Sequence, residues 1–353
     1  MLKYRDGLAA MPTYDVVERP WKIKINANEC NLNLPPLVEE RVLSRLSRVA
    51  FNRYPNEEYD LLREQIAAAY NLTKENILLG SGSSEIIEKL FYSFGGRDGT
   101  IVYPRPSFSM YGIYAKAAES RGIAVDLAED YAFDADKFVN AVNDNKATLA
   151  VICNPNNPTG TGIPLAAIER VAQNIDCALL LDEAYMEFYG ESASELLTKY
   201  PHLIVARTFS KAYGLAAARV GYMLAAKDIV STVEKSYMPY HLNVLSVATA
   251  DIVYQMRYEY GPRIDQLIAE TERLSAELKK LPGVTVYPSV TNFVLVRYAK
   301  AVELNEELAA QGIGVRSFNK TPRLENCLRI SMGTREENDI WLKAVQDFVA
   351  REA

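Results

Sequence analysis

Through the middle of the chain, short apolar runs alternate with segments of helical periodicity. The apolar runs fall at 77–79, 100–103, 124–127, 148–153, 178–182, 203–208 and 220–225, and the helical segments at 84–94, 111–118, 134–143 and 165–173. The run 178–181 reads Ala-Leu-Leu-Leu, with no polar alternation. Such a run belongs to a strand covered on both faces. The rhythm predicts an α/β fold in which a mostly parallel central sheet is flanked by helices. Past residue 228 the texture changes. A helix is expected to begin near Leu245 and another to span 262–281. Strands at 284–287 and 292–297, a helix at 301–311 and a last helix at 335–351 then predict a smaller α+β unit. No Gly/Ser-rich linker separates the two parts, so continuous helix is expected to join them.

At 353 residues the chain is long enough for about two domains. Its net charge of −6 argues against a nucleic-acid surface but leaves room for a local basic pocket. The four cysteines form no Cys-x-x-Cys pair and there are only two histidines, so neither a structural zinc site nor a disulfide framework is expected. Residues 1–7 carry charges rather than an apolar signal core, and no apolar run approaches the ~20 residues of a membrane helix. The expected location is cytoplasmic.

Five constellations carry candidate chemistry. Ser210-Lys211 follows the run 203–208, with Arg219 eight residues beyond the lysine. Hydroxyls at Thr208 and Ser210 beside an arginine suit a phosphate, and a lysine among them suits a Schiff base with a carbonyl cofactor. Asp182-Glu183-Ala184-Tyr185 closes the run 178–182, where a carboxylate would face the ligand crevice of an open sheet; a helix-capping Asp is the plainer alternative. Asn154-Pro155-Asn156-Asn157-Pro158 makes a rigid turn after 148–153 and offers the Asn157 amide. Gly80-Ser81-Gly82-Ser83-Ser84-Glu85 precedes a helix. It lacks the third glycine of a dinucleotide fingerprint and the Gly-Lys of a Walker loop, so it suits a monophosphate cup or a simple helix cap. Arg329, within Cys327-Leu328-Arg329-Ile330-Ser331, is an arginine in a strand-like run, suited to a carboxylate ligand or an interdomain salt bridge.

In this order, the constellations resemble the fold-type I pyridoxal-phosphate aminotransferases, class I/II, and within them the histidinol-phosphate aminotransferase branch. The resemblance extends through Asn26-Ala27-Asn28-Glu29, Arg53-Tyr54-Pro55, the stretch 182–188 (DEAYMEF) and the stretch 328–337 (LRISMGTREE), and covers nearly the whole chain. It implies pyridoxal 5'-phosphate as cofactor, with Lys211 as the Schiff-base lysine that also moves the substrate's proton. It implies Asp182 against the pyridine nitrogen, Asn157 and Tyr185 on the ring oxygen, and Phe108 stacked on the ring. Ser83, Ser84, Ser210 and Arg219 would hold the phosphate, with Thr208 a weaker candidate. Tyr54 would reach the cofactor phosphate of a neighbouring subunit, which implies a homodimer. Arg329 would bind the substrate carboxylate or its equivalent, with Asn28 close by, and Arg316 and Tyr14 would contact a distal phosphate. The implied organisation is an N-terminal arm and part of the small domain at 1–45, a large cofactor domain at 46–260 and a C-terminal small domain at 261–353.

Two departures stand out. Ser84 stands where the family often has Asp, and Cys30-Asn31-Leu32-Asn33-Leu34-Pro35 replaces the more usual Asn-Pro-Tyr-Gly-Pro. The second bears on specificity rather than chemistry. The activity implied is ping-pong transamination of histidinol phosphate with 2-oxoglutarate in L-histidine biosynthesis. The alternative is an aromatic amino-acid aminotransferase acting on phenylalanine or tyrosine. A threonine-phosphate decarboxylase ranks below both because the chain lacks a His-Gly-Gly-Asn segment near its start. A regulator without turnover would need an added DNA-binding domain, and a nicotinamide oxidoreductase would need the missing glycine.

Overall fold

The computed structural model describes Leu2, Met11 and residues 19–352. Elements run in the order β1 (Ile23–Lys24), α1 (Pro36–Leu46), α2 (Asn56–Ala69), β2 (Ile77–Gly80), α3 (Gly82–Phe94), β3 (Thr100–Arg105), α4 (Met110–Ala117) and β4 (Arg121–Asp126). There follow α5 (Ala135–Asp144), β5 (Leu149–Cys153), α6 (Leu165–Gln173), β6 (Ala178–Asp182), α7 (Met186–Tyr189), β7 (Leu203–Thr208), β8 (Gly221–Leu224) and α8 (Lys227–Glu234). The chain ends with α9 (Val244–Gln255), α10 (Gly261–Leu278), β9 (Thr285–Val286), β10 (Phe293–Arg297), α11 (Ala301–Ala310), β11 (Ile313–Gly314), β12 (Arg316–Ser317), β13 (Cys327–Ser331) and α12 (Arg335–Glu352).

Seven strands form one sheet in the order β2-β8-β7-β6-β5-β3-β4. Its pairs are parallel except those of β8, which runs antiparallel to both β2 and β7. Alternate residues of one strand enter different cores. Ala150 and Ile152 pack with Leu62, Ile66 and Phe138 on one face, while Leu149 and Val151 pack with Ile87, Phe91 and Tyr111 on the other. Both faces are therefore dry, which is why β5 and β6 read as unbroken apolar runs. The C-terminal part builds a four-stranded sheet, β12-β13-β10-β9, backed by α12 through Trp341, Val345 and Phe348. Ile23 and Ile25 pack into this same core, and β1 pairs with β11.

Between the two parts the helix is not continuous. Helix α9 ends at Gln255, a 3-10 turn spans Arg257–Tyr260, and α10 restarts at Gly261 with Pro262 in its first turn. Proline lacks the N–H that a helix interior requires, so the helix must begin anew there. Helices α10 and α12 are locked by Glu270, a buried carboxylate that accepts from Arg273, Arg335 and Asn338. Asn338 in turn accepts from Gly333 N–H at 2.8 Å, fixing the turn that follows β13. Glu270→Ala strands these donors, and a loss of about 2 kcal/mol is expected in urea unfolding. An unchanged midpoint would show that the network adds nothing.

Candidate active site

The C-terminal ends of the parallel strands converge on one cavity. Strand β5 delivers the turn to Asn157, β6 delivers Asp182 and Tyr185, and β7 delivers Thr208, Ser210 and Lys211. Strand β3 leads to Phe108, and the chain leaves β3 and β5 toward opposite sides of the sheet, which opens the crevice between them. Because β8 is antiparallel, its N-terminal end lies at this same edge and brings Arg219 there.

The cup at α3 is built by close approach. Gly82 has φ +71°, in the left-handed region, and a Cβ there would meet Arg219 Nη2 at 2.7 Å. A Cβ on Gly221 would lie 2.4 Å from the Ser83 nitrogen, so β8 can press against the start of α3 only through a glycine. Glu85, where a dinucleotide site would have its third glycine, turns back to accept from Ser81 N–H at 2.6 Å. The amides of Ser83 and Ser84 stand at the N-terminus of a 13-residue helix. Arg219 donates to Ser210 Oγ at 3.3 Å, and Ser210 N–H donates to Thr208 Oγ1 at 3.2 Å. Amides, hydroxyls and a guanidinium around a cradle closed to side chains are the donor set of a phosphate site.

Asp182 is 4% exposed. Its Oδ2 accepts from Tyr111 Oη at 2.7 Å, while its Oδ1 is buried and has no hydrogen-bond partner among the described residues. Burial pushes the carboxyl up to about 6, against the Tyr111 hydrogen bond, the Ala184 amide and the Lys211 charge, which pull it down. A buried, half-satisfied carboxylate at the cavity wall fits a ligand that presents an N–H⁺. Lys211 Nζ donates to the Ala27 carbonyl at 3.0 Å. Burial, then the Arg329 charge, lowers its ammonium to about 8, so a neutral amine is within reach near neutrality.

The ring-oxygen candidates are also pre-set. Asn157 Oδ1 accepts from Arg329 Nη1 at 2.6 Å, which leaves the Asn157 NH₂ to donate elsewhere. Tyr185 Oη accepts from Asn28 Nδ2 at 2.8 Å, which leaves its own proton to donate. Phe108 lies edge-on to Tyr111, with centroids 5.5 Å apart. Arg329 also donates to the Asn26 carbonyl at 2.8 Å. Arg316 lines the same cavity from β12. Tyr54 does not; it is 72% exposed and stacks on Tyr240 at 4.1 Å. Tyr14 lies outside the described residues. Tyr111 and Ser331 were not singled out as site residues by the sequence, although Tyr111 sits one helical turn after Phe108.

Comparison with known proteins places this geometry. The profile of the family described as aminotransferase class I and II matches residues 20–345. The chain is 37% identical to a histidinol-phosphate aminotransferase of Caldanaerobacter subterraneus subsp. tengcongensis, over 98% of each chain. It is 36% identical to one of Thermococcus gammatolerans, over 96% of each. The crystal structure of histidinol-phosphate aminotransferase from Sinorhizobium meliloti in complex with pyridoxal-5'-phosphate superposes with a TM-score of 0.86 at 25% identity, covering 95% of this chain and 93% of that one. By fold, by sequence and by the order of residues around its cavity, the chain belongs to the class I and II aminotransferases, in the histidinol-phosphate aminotransferase branch.

Proposed function

We propose that this chain is a pyridoxal-phosphate-dependent enzyme that transfers the amino group of histidinol phosphate to 2-oxoglutarate, a step of L-histidine biosynthesis. The observation that carries the substrate is a pair of arginines. Arg316 and Arg329 are directly opposite each other on the antiparallel strands β12 and β13, and both line the cavity. Phe318 lies within 6 Å of both guanidinium groups (5.9 and 5.8 Å). Like charges paired across strands repel, and an anion of two charges offsets that cost. The phosphate of histidinol phosphate is such an anion, and 2-oxoglutarate brings two carboxylates to the same place.

When bound, pyridoxal phosphate supplies an aldehyde that captures amines and a ring that takes up the electron pair left on the substrate's α carbon. The protein's part is positioning and proton movement. Asp182 Oδ1 would hold a proton on the ring nitrogen, and Asn157 and Tyr185 would donate to the ring oxygen. Phe108 would cover the ring. Ser83, Ser84, Ser210 and Arg219, with Thr208 behind them, would hold the phosphate. Lys211 Nζ, as a neutral amine, would take up and hold the proton of the substrate's α carbon. Two half-reactions on one site give ping-pong kinetics.

The working unit is a homodimer in the cytoplasm, with Tyr54 of one protomer reaching the cofactor phosphate of its partner. Support comes from Tyr54 itself, which faces outward together with Phe51, Met238 and Tyr240. No helix among the described residues is long and apolar enough to cross a membrane.

Titrating the cofactor-loaded protein with histidinol phosphate, with phenylalanine as comparator, tests the reading. Histidinol phosphate is expected to bleach the visible band at the lower concentration. Arg316→Gln should raise the concentration needed at least about tenfold, the value of one charge-assisted contact, and leave the phenylalanine response in place. Bleaching by phenylalanine at equal or lower concentration would move the enzyme to the aromatic aminotransferases.

A further inference from the structure

We propose that Ser331 is a positioning residue for Tyr185, acting through Asn28: its hydroxyl fixes which end of the Asn28 amide faces Tyr185, and so points the Tyr185 proton into the cavity. The inference rests on the cofactor reading above.

Ser331 ends β13 two residues after Arg329, so both side chains leave the strand on the same face. Ser331 and Asn28 are each 1% exposed. The Ser331 hydroxyl accepts from Asn28 N–H at 3.0 Å and donates to Asn28 Oδ1 at 2.8 Å. A hydroxyl has one proton, and that proton is spent on Oδ1. The Asn28 NH₂ must then face the other way, and it donates to Tyr185 Oη at 2.8 Å. Having received that N–H, Tyr185 keeps its own proton free to donate. With the amide turned over, Oδ1 would accept the Tyr185 proton instead, and the ring oxygen would lose a donor.

The backbone is shaped for this contact. Asn28 has φ +57°, a left-handed conformation that asparagine tolerates better than most residues. Its carbonyl is held by Asn292 Nδ2 at 3.3 Å. Both candidate ligands of the ring oxygen are thereby wired to one strand. Arg329 holds Asn157 directly, and Ser331 holds Tyr185 through Asn28.

The readout is the pH titration of the visible absorbance of the substrate-free holoenzyme. Tyr185 draws negative charge from the ring oxygen, and a weaker donor leaves more of it beside the Lys211 nitrogen, which then holds its proton to higher pH. Ser331→Ala should move the midpoint upward by about half a unit or more, and Ser331→Thr, which keeps the hydroxyl, should restore it. In a Tyr185→Phe background, Ser331→Ala should add no further shift. If Ser331→Ala yields no soluble holoenzyme, Ser331→Cys, which keeps the side chain's place but offers only a weak S–H donor, carries the test with the same sign. A wild-type midpoint in the alanine variant, or a shift that persists undiminished in the Tyr185→Phe background, overturns the proposal while leaving the cofactor reading intact. A wild-type protein that takes up no pyridoxal phosphate overturns both.

Discussion

Lys211→Ala is expected to lower kcat/KM by at least about 10⁴-fold, because the nucleophile and the proton carrier are the same atom. The loss should not come from unfolding. Lys211 donates to the Ala27 carbonyl, and burial together with the charges of Arg329, Arg219 and Lys24 opposes its own, outweighing the support of Glu29. Burial and the neighbouring Arg329 depress its ammonium to about 8 from an ordinary 10.5. The folded state thus binds this proton less tightly than the unfolded state. Stability contributed by the lysine is lowest below pH 8 and recovers as pH rises toward 10.5. Removing the side chain should therefore leave the cofactor-free protein at least as heat-stable as wild type at pH 7. It should also remove the visible band formed with pyridoxal phosphate. A variant that keeps activity within tenfold of wild type would mean that another amine serves, and one that melts far earlier would mean that the lysine is structural.

The parts of the fold that were legible in the chain are those where burial is two-sided. Strands β6 and β7 and helix α6 fall where the apolar pattern places them. Helices α1, α2 and α8 are not anticipated from the sequence. Thin burial does not explain this, since Leu62, Ile66 and Ala67 of α2 match Ile168, Val171 and Ala172 of α6 in number; α1 and α2 precede the strand–helix alternation, and α8 follows its last strand. Strand β4 begins at Arg121, three residues before the apolar run, because an edge strand can pair through polar residues. Strands β1, β11 and β12 are two residues long, too short for any period to show.

The site divides in the same way. Asp182, Asn157 and Lys211 are polar residues at the ends of apolar runs, and that contrast marks them. Tyr111 is an aromatic in a helix that faces a core, and nothing local distinguishes it from packing. Its role depends on β6 bringing Asp182 beneath α4, a matter of sheet order rather than of spacing. Ser331 likewise gains its meaning from Asn28, 303 residues earlier in the chain.

Asp182→Asn should separate what the carboxylate costs the fold from what it gives the reaction. Burial raises its pKa from 3.8 to about 6, so the folded state binds the proton more tightly than the unfolded state. Stability then falls as pH rises from about 4 to 6, and the full cost of about 3 kcal/mol is present above that window. The cofactor-free asparagine variant carries no charge to desolvate, and Tyr111 can still donate to its carbonyl oxygen. At pH 8 it should be more stable to urea than the cofactor-free wild type, and at pH 4 the two should nearly coincide. Activity should move the other way, down by about 10³-fold, because no anion remains to hold a proton on the ring nitrogen. Equal stability of the two proteins at pH 8 would mean that Asp182 carries no desolvation cost. Near-normal turnover in the variant would mean that its unpartnered Oδ1 is not the seat of that proton. The two outcomes are independent, since the first concerns the protein alone and the second the protein with its cofactor. If both hold, the unsatisfied oxygen is a cost the fold carries until an N–H⁺ arrives to meet it.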